Sequence, residues 1–362
     1  MHGNILGRNF FYMRKDDQEL IEPLQKHKFD LVKLKDWMNS VHKSVEEVKI
    51  LQFQGGMSNP TFLVQSEQKK YVLRKKPPGK LLPKAHAVDR EFKVMSALGN
   101  TDVPVPKMIG YCDNPEIIGT EFFLMEYIEG RIITSPAMEG YSNIERRNVY
   151  VSLARTLAKL HNIDYLSVGL QSFGRPEGYL ARQVTLWSNQ YKRSKEDLKI
   201  KVDFKKMDLL SERLQFKSII PDEISIAHGD YRLGNTIVHG NEPKIIGVLD
   251  WELSTIGHPL ADLGYFCIPY RYGLDKQNLD ELGIPSEEEF LDLYMSFSNR
   301  PSIPNWPLFL SFSFFRSAAI IFGVAARTML GNVSTGSSDV SEQVTRAEEM
   351  AAIGYQILLE ND

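Results

Sequence analysis

The chain has 362 residues, of which 43% are hydrophobic and 25% are charged, and its formal net charge is −3. This length is too great for one small core and predicts one large bilobal domain or two domains. The composition is ordinary for a globular protein. A pI near 6.3 argues against an overall basic field that would attract nucleic acid or an anionic membrane. An anionic substrate would therefore need a local cluster of basic residues.

The two ends of the sequence and its two cysteines bear on the cellular compartment. The N-terminal MHGNILGRNFFYMRK is basic but lacks a continuous apolar segment, which is unlike a secretory signal. We expect a cytoplasmic protein, with a mitochondrial leader as the alternative, and the C-terminal ILLEND does not match a peroxisomal signal. Cys112 and Cys267 have neither the spacing of a zinc site nor that of a disulfide framework, so we interpret them as buried thiols.

The first part of the chain predicts a helical segment followed by a small β-rich lobe. Residues 16–50 are charged with a helical pattern, and we interpret 1–47 as an N-terminal helical extension. From Leu51 onward, ILQFQGGMSNPTFLVQSEQKKYVLRKKPPG predicts three strands separated by a glycine loop and a polar turn, with PPG ending the third strand. AHAVDREFKVMSAL has helical spacing, and EFFLMEY predicts a further strand. The N-lobe therefore covers residues 48–128.

After a predicted hinge at about 126–130, the remaining chain to residue 362 is mainly helical in pattern. Ser142 and Glu145 have the S-x-x-E spacing of a capping box before an apolar helix face. Charged helical segments follow, and then TIVHG and KIIGVLD predict two short strands joined by the turn NEPK. The fold class is α+β, with a small β-rich N-lobe and a larger, mainly helical C-lobe at 129–362.

Two features of the C-lobe are predicted to lie in its core. The apolar segment LFLSFSFFRSAAIIFGVAA is long enough to suggest a membrane span. Arg316 at its centre and its three serines favour a buried helix instead, so we expect no integral membrane protein. Trp187 and Tyr191 lie on a predicted helix, where core packing is favoured over contact with a substrate.

Three polar side chains beside strand-like segments supply what phosphoryl transfer requires. Asp230 follows His-Gly in AHGDYRLGNTIV, Asn235 comes five positions later, and Asp250 ends an apolar run fifteen positions after Asn235. Mg²⁺ takes one or two carboxylates or amides together with phosphate oxygens, and a further carboxylate must accept the proton of the substrate hydroxyl. The kinase loop H-R-D-x-x-x-x-N has the same spacing. Alone, such a pattern is more often a simple loop.

The motif HGDYRLGN with the later LDWE resembles the catalytic core of the aminoglycoside phosphotransferase and choline kinase-like superfamily. Further blocks, GGMSNPTF, YVLRKKPPGKLLPKAHAVDREF, GTEFFLMEYIEGRI and LDWELSTIGHPLADLGYF, are similar to the N-terminal kinase-like domain of acyl-CoA dehydrogenase family members 10 and 11. The resemblance covers about residues 48–355 and implies a protein-kinase-like bilobal fold. We expect the chain to lack the dehydrogenase module that follows this domain in those proteins.

The resemblance also implies roles for the polar residues of the C-lobe. Asp230 is expected to be the catalytic base, and Asn235 and Asp250 are expected to be the ligands of Mg²⁺. Asp262, in HPLADLG, is expected to hold the catalytic loop through backbone hydrogen bonds. His228 is expected to be a scaffold of the same loop and not a proton shuttle.

The resemblance places the nucleotide, ATP or GTP, against the N-lobe. Arg74 stands where the family has a basic strand residue, with Glu91 as its helix partner and Lys75 as an alternative to Arg74. Arg74 and Glu91 could also form a plain surface pair, and KKPPGK is either a solvated turn or a contact for a phosphate-bearing substrate. The other candidates form a phosphate-covering turn and a hinge that meets the adenine: Gly55, Gly56, Ser58, Asn59, Met125, Glu126 and Ile128.

Together these features predict a small-molecule kinase that uses Mg²⁺ and a nucleotide to phosphorylate a hydroxyl group. The resemblance implies a hydroxyacyl-CoA or related acyl metabolite as acceptor and a separate acyl-CoA dehydrogenase as a possible partner; choline, an aminoglycoside or a sugar are alternative acceptors. A pseudokinase that binds nucleotide or acyl-CoA without turnover is a further alternative, although the base and both metal ligands are present. A protein kinase is disfavoured because no Ala-Pro-Glu signature follows Asp250.

Overall fold

The computed structural model describes residues 19–42, 45–54, 59–67, 69–77, 86–198, 204–330 and 339–361. These residues form a sheet-rich N-lobe up to Glu126 and a mainly helical C-lobe after it, which confirms the predicted α+β class. The N-lobe elements are β1 (Leu20–Ile21), α1 (Leu31–Val41), β2 (Lys49–Phe53), β3 (Thr61–Ser66), β4 (Lys69–Lys75), α2 (Val88–Leu98), β5 (Met108–Cys112), α3 (Pro115–Ile118) and β6 (Phe122–Glu126).

The C-lobe combines long helices with two short β-ribbons. Its elements are α4 (Asn143–His161), α5 (Tyr179–Leu198), α6 (Lys205–Lys217), β7 (Ser225–Ala227), β8 (Thr236–Val238), β9 (Ile245–Val248), β10 (Thr255–Gly257), α7 (Pro259–Phe266), α8 (Ile268–Arg271), α9 (Leu279–Leu282), α10 (Glu287–Ser298), α11 (Trp306–Met329) and α12 (Val340–Leu359).

The N-lobe sheet separates two hydrophobic cores. Its strands run antiparallel in the order β1-β2-β3-β4-β6-β5. Because side chains alternate across a strand, Tyr71 and Leu73 of β4 join a core with Leu34 of α1 and Phe62 of β3. Val72 faces the other side and belongs to the core that continues into the C-lobe. Successive residues of β4 therefore serve different faces of the lobe.

The helical prediction for residues 16–50 is wrong in part. Leu31–Val41 is a helix that is capped by Asp30. The Asp30 side chain accepts hydrogen bonds from the backbone N–H groups of Val32 at 2.9 Å and Lys33 at 3.2 Å. Leu20–Ile21 is instead a strand that pairs with β2, and Lys49 and Ile50 already belong to β2. Pairing with a neighbouring strand overrides local propensity here. The domain boundaries after residues 47 and 128 stay predictions.

The apolar segment around Arg316 forms α11, the central helix of the C-lobe. Within the described part of the chain, α11 is the one helix long and apolar enough to cross a membrane, but 89% of its most apolar window is buried inside the protein. The prediction of a buried helix is therefore confirmed. Tyr191 is buried in the same core and Trp187 packs against it, as predicted. Cys112 and Cys267 are also buried.

Two β-ribbons deliver the loops of the candidate site. The predicted hairpin of TIVHG and KIIGVLD is confirmed as β8 and β9. The sequence did not indicate β5, nor the ribbon of β7 and β10, whose paired segments have only three residues each. β7 leads into His228, β8 begins after Asn235, and β9 ends shortly before Asp250. The polar residues thus lie where short strands end.

Candidate active site

The loop from His228 to Asn235, the catalytic loop, is anchored by Asp262 of α7. The Asp262 carboxylate is 1% exposed and accepts hydrogen bonds from the backbone N–H groups of His228 at 2.6 Å and Gly229 at 2.8 Å. Burial acts to raise the pKa of Asp262, but the contact with His161, at 3.3 Å, and the loop's hydrogen bonds hold it below its usual value. The predicted bracing role of Asp262 is confirmed.

His228 connects the catalytic loop to the segment that carries Asp250. Its ring is fully buried, its Nε2 lies 2.9 Å from the Leu249 carbonyl, and its Nδ1 accepts a hydrogen bond from the Asp230 N–H at 3.1 Å. These contacts indicate the neutral tautomer with its proton on Nε2. Both ring nitrogens therefore have structural partners, which confirms the predicted scaffold role.

Gly229 occupies a position that no other residue fits. Its φ angle is +85°, and a Cβ atom there would lie 2.6 Å from the Leu253 carbonyl oxygen. The left-handed conformation and the close approach of backbone both require glycine. The sequence H-G-D, where kinases have H-R-D, is thus explained by the path of the segment that follows Asp250.

Asn235 orients the carboxylate of Asp230. Its Nδ2 donates to Asp230 Oδ2 at 2.7 Å and to the Asp230 carbonyl at 2.9 Å. Arg232 Nε lies 3.4 Å from the same Oδ2. The Asp230 side chain keeps 17% exposure. A carboxylate that is oriented by hydrogen bonds and still reaches solvent is suited to receive a proton from an acceptor hydroxyl.

Asp250 enters the same region from the end of the hairpin. Its backbone adopts the left-handed conformation, with φ 64° and ψ 60°, which costs of order 1–3 kcal/mol for a residue other than glycine. Its Oδ1 accepts a hydrogen bond from Arg74 Nη2 at 2.8 Å, and its side chain is 31% exposed. Leu249, just before it, donates its backbone N–H to the Asn235 carbonyl at 2.8 Å. The segments that carry Asn235 and Asp250 therefore lie side by side.

The donor atoms of Asn235 and Asp250 fit a magnesium ion. Because Asn235 Nδ2 points to Asp230, its Oδ1 is the atom left for a cation, and Asp250 Oδ2 is the carboxylate oxygen not bonded to Arg74. One amide oxygen and one carboxylate, completed by phosphate oxygens and water, are a donor set that suits Mg²⁺. Among the described residues, no group of three or more His, Cys, Asp or Glu side chains suggests a different metal.

Arg74 joins the two lobes through three carboxylates. Besides its bond to Asp250, its Nε lies 3.2 Å from Glu91 Oε1 and its Nη2 lies 3.5 Å from Glu252 Oε2. Glu91 is 1% exposed, so the alternative of a plain surface pair is wrong. Burial outweighs the attraction of Arg74 and raises the pKa of Glu91 to about 7, while the three carboxylates raise the pKa of Arg74 above its usual range. The sequence did not assign Glu252 a role.

Lys75, the alternative to Arg74, lies on the opposite face of β4. It is 4% exposed, and its Nζ lies 4.9 Å from the ring centre of Phe29, on the side of the N-terminal segment. Burial lowers the pKa of this lysine to about 8. Alternation along the strand places only Arg74 toward Asp250, so the Lys75 alternative is wrong.

The predicted phosphate-covering turn is described only in part. Gly55, Gly56 and Ser58 lie outside the described residues. Asn59 is fully buried, with its Nδ2 donating to Glu91 at 3.0 Å and its Oδ1 lying 3.1 Å from His86 Nδ1. The structure therefore places Asn59 behind the ion pair and not on the open side of the site.

Part of the backbone of the predicted hinge is already hydrogen-bonded. Met125 is buried within β6, and the N–H groups of Glu126 and Tyr127 donate to the carbonyls of Lys107 and Lys70 at 2.9 and 3.3 Å. Among the described residues, no backbone carbonyl accepts the Ile128 N–H. If an adenine edge meets this hinge, the Ile128 N–H is a donor that can bind it.

A small cavity of about 60 Å³ lies beside the catalytic loop. Arg232 and Tyr265 line the side toward Asp230, and the other described lining residues are mostly aromatic or aliphatic, with a second arginine, Arg346, and no carboxylate. Tyr265 also interacts with Asp230, and burial, followed by that charge, raises the pKa of its hydroxyl. The sequence did not single out Arg232 or Tyr265, although each stands within three positions of a residue that it did, Asp230 and Asp262.

Comparison with known proteins identifies the family. The model of the phosphotransferase enzyme family matches residues 49–292. Acyl-CoA dehydrogenase family member 11 from rat is 40% identical over 358 residues, which are 94% of this chain and 44% of that protein; the human protein is 41% identical over 357 residues, with the same coverage. The chain spans less than half the length of these curated relatives. The predicted resemblance to the kinase-like domain of family members 10 and 11 is confirmed.

Solved structures agree with this assignment. A crystal structure from Ralstonia eutropha, provisionally described as an aminoglycoside phosphotransferase, is 36% identical with a TM-score of 0.81, covering 92% of this chain and 99% of that one. Choline kinase from Cryptosporidium parvum has a TM-score of 0.63 at 16% identity, covering 92% and 97%. Spectinomycin phosphotransferase, solved with ADP and spectinomycin, has a TM-score of 0.59 at 13% identity, covering 91% and 98%. The last two show the fold alone. The chain belongs to the phosphotransferase enzyme family and has its kinase-like fold.

Proposed function

We propose that this protein is a small-molecule kinase that moves the γ-phosphoryl group of ATP or GTP to a substrate hydroxyl. The observation that carries the proposal is the oriented carboxylate of Asp230 beside the paired segments of Asn235 and Asp250. Reaction forms a bond between the acceptor oxygen and phosphorus and breaks the bond to the β-phosphate oxygen. Asp230 receives the acceptor proton, and the nucleoside diphosphate leaves with the electron pair.

The remaining residues of the site would position and neutralise the phosphates. Asn235 and Asp250 would hold Mg²⁺, which would supply positive charge against the phosphate oxygens. Arg74, drawn toward Asp250 by their hydrogen bond, stands where it can also meet the nucleotide. Its planar guanidinium suits phosphate recognition. The solved phosphotransferase with bound ADP supports a nucleotide as donor.

We further propose a hydroxyacyl-CoA, or a related hydroxylated acyl metabolite, as acceptor. The cavity beside Asp230 supports this, because its described lining is largely apolar and contains Arg232 and Arg346 but no carboxylate. A cationic acceptor such as choline or an aminoglycoside would find no carboxylate in this described lining, whereas an apolar acyl chain would contact mostly apolar side chains. The names of the curated relatives also point to acyl-CoA metabolism, and a separate acyl-CoA dehydrogenase is the proposed partner.

An acceptor panel tests both levels of the proposal. The protein is incubated with Mg²⁺, ATP or GTP and 3- or 4-hydroxyacyl-CoAs, choline, an aminoglycoside or a sugar, and nucleoside diphosphate release and phosphorylated product are measured. Asp230→Asn is compared with the surface control Asp292→Asn, which leaves the site intact. We expect product from a hydroxyacyl-CoA, a loss of about 10²–10⁴-fold in kcat for Asp230→Asn, and wild-type activity for the control.

The possible outcomes separate the hypotheses. Phosphorylation of choline, an aminoglycoside or a sugar, but of no acyl substrate, would refute the acceptor and retain the kinase. Nucleotide binding without consumption for any acceptor would favour a binding module without turnover. The cytoplasmic location, with a mitochondrial alternative, is a proposal that fractionation of cells expressing the protein tests separately.

A further inference from the structure

The apolar helix α11 contains a buried cation that its packing role does not explain. Arg316 is only 5% exposed, although it lies in the middle of the helix among phenylalanine, alanine and serine residues. Removing a guanidinium from water costs several kcal/mol unless charges and hydrogen bonds compensate it. A leucine or methionine would fill such a position without this cost, so the contacts of Arg316 require an explanation.

Arg316 contacts two neighbours of Asp230, the proposed catalytic base. Its Nη2 donates a hydrogen bond to the carbonyl of Gly229, the residue directly before Asp230. Its guanidinium carbon lies 5.1 Å from the ring centre of Tyr265 and 5.6 Å from that of Trp187, within the range of cation–π contacts. Tyr265 itself interacts with Asp230. Arg316 thus touches the backbone neighbour and a side-chain neighbour of the base.

Arg316 completes the fixation of the peptide that carries Asp230. The N–H of Gly229 donates to Asp262 and its carbonyl accepts from Arg316, so both polar groups of this glycine are held by buried side chains. Gly229 has a left-handed backbone, with φ +85°, and as a glycine it would otherwise have wide conformational freedom. Within the described part of the chain, the Nε of Arg316 has no hydrogen-bond partner. The hydrogen bond of Arg316 to Gly229 is therefore made although another nitrogen of the same guanidinium is left without a partner.

We propose that Arg316 is a positioning residue of the phosphotransferase site, which fixes the Gly229–Asp230 peptide and the Tyr265 ring so that Asp230 meets the acceptor hydroxyl in line with the phosphate. The inference rests on the proposed function for its kinetic consequence. Displacing reacting groups by about 1 Å costs as much as 10²-fold in rate, so small rotations of this peptide should be visible in kcat.

The chain offers a matched control in Arg146 of α4. Arg146 is also buried, at 9% exposure, and donates to the carbonyls of Met138 at 3.0 Å and Leu282 at 3.1 Å, residues outside the catalytic loop. Arg316→Met and Arg146→Met therefore remove the same type of group from the same type of partner. A purely structural role of Arg316 predicts the same consequences for both variants.

The test compares Arg316→Met, Arg316→Lys and Arg146→Met, each with the measured folded fraction taken into account. We expect Arg316→Met to lose about 10–100-fold in kcat with an unchanged KM for the nucleotide, and Arg316→Lys to recover part of the loss because it retains a donor for the Gly229 carbonyl. Arg146→Met should lose stability but keep kcat. Equal kcat losses for the two Met variants, or a change confined to KM, would overturn the proposal.

A second readout does not depend on turnover. Hydrogen–deuterium exchange of a peptide covering residues 227–232 should increase in Arg316→Met and not in Arg146→Met, because Gly229 loses one of its two anchors. Unchanged exchange in Arg316→Met would overturn the positioning role even if the kinase is active. If no acceptor is phosphorylated by the wild type, only the proposed function fails, and the exchange experiment still decides the role of Arg316.

Discussion

The two lobes hold their polar site residues by different means. In the C-lobe, the catalytic loop is fixed by hydrogen bonds from buried groups to the backbone, as between Asp262 and the N–H of Gly229. In the N-lobe, Arg74 is held by charge, between Glu91 and the acidic residues Asp250 and Glu252. The conformation of the catalytic loop is therefore fixed by hydrogen bonds within the protein itself. The Arg74 cluster includes Asp250, the proposed metal ligand, so binding of the proposed Mg²⁺ would change the charge balance around Arg74.

Asp262→Asn removes an acceptor of the hydrogen bonds that hold the catalytic loop. One amide cannot accept from two backbone N–H groups and His161 as the carboxylate does, so we expect a loss of about 3–5 kcal/mol in the free energy of unfolding together with a large loss of kcat. Urea unfolding and steady-state kinetics measure both. Asp164→Asn is the control, because Asp164 accepts a backbone N–H at an exposed turn and should change stability by less than about 0.5 kcal/mol.

The contribution of Asp262 to stability depends on pH in the acid range. The pKa of Asp262 is lowered in the folded protein, so its stabilisation is fully present above the unfolded value near 3.8 and is lost as the pH falls through the lower, folded value. The stability difference between wild type and Asp262→Asn should therefore be constant from pH 7 to about 4 and shrink below it. A difference that already shrinks near pH 6 would contradict this assignment.

Gly229→Ala tests whether the loop backbone tolerates any change. The left-handed conformation alone costs an alanine roughly 1–2 kcal/mol, and the contact of a Cβ with the Leu253 carbonyl, at 2.6 Å, adds a clash with backbone. We expect a total of about 2–4 kcal/mol in the free energy of unfolding. Gly140→Ala isolates the first cost, because Gly140 has φ +84° with open space around it. Equal losses for the two variants would show that the loop relaxes easily.

The ion pairs of the N-lobe are tested by two double-mutant cycles, one on Arg74 of β4 and one on Lys76, which directly follows this strand. We expect Arg74→Met and Glu91→Gln to couple by about 1–3 kcal/mol in unfolding free energy, because Glu91 is 1% exposed and Arg74 only 13%. The pair of Lys76 and Glu121, 2.7 Å apart but more exposed, should couple by less than about 1 kcal/mol. A coupling for Arg74 and Glu91 as small as that of the exposed pair would mean that solvent screens the attraction between these two side chains.

The same contrast explains how far the sequence could predict the site. Asp230 and Asn235 lie in one loop, and Asp250 follows the adjoining hairpin. Their spacing in the sequence was therefore enough to predict that the three side chains lie close together. The face on which Arg74 or Lys75 lies depends on how β4 sits in the sheet, which no local motif gives. Residues 20–21 form a strand only because β2 is beside them. Arg316 interrupts an apolar helix in the sequence, and its partner Gly229 is 87 positions away.

Lys75→Met tests whether Arg74 and Lys75, adjacent on β4, lie on opposite faces with different roles. The charged form of Lys75 is disfavoured by burial, and its pKa falls from 10.5 to about 8, which corresponds to at most ~3 kcal/mol. Since methionine must also fill the space beside Phe29, we expect a gain of about 1 kcal/mol at pH 7 without loss of kcat.

The effect of Lys75 on stability changes with pH because its pKa is lowered in the folded protein. Between about pH 8 and 10.5, the unfolded chain binds the Lys75 proton and the folded protein does not, so the contribution of this residue makes wild type more stable as the pH rises. The advantage of Lys75→Met should therefore be largest at pH 7 and decline toward pH 10. Lys69→Met, at an exposed position of β4, should show no such dependence. A loss of kcat in Lys75→Met would instead assign this lysine to the active site and remove the distinction between the two faces of the strand.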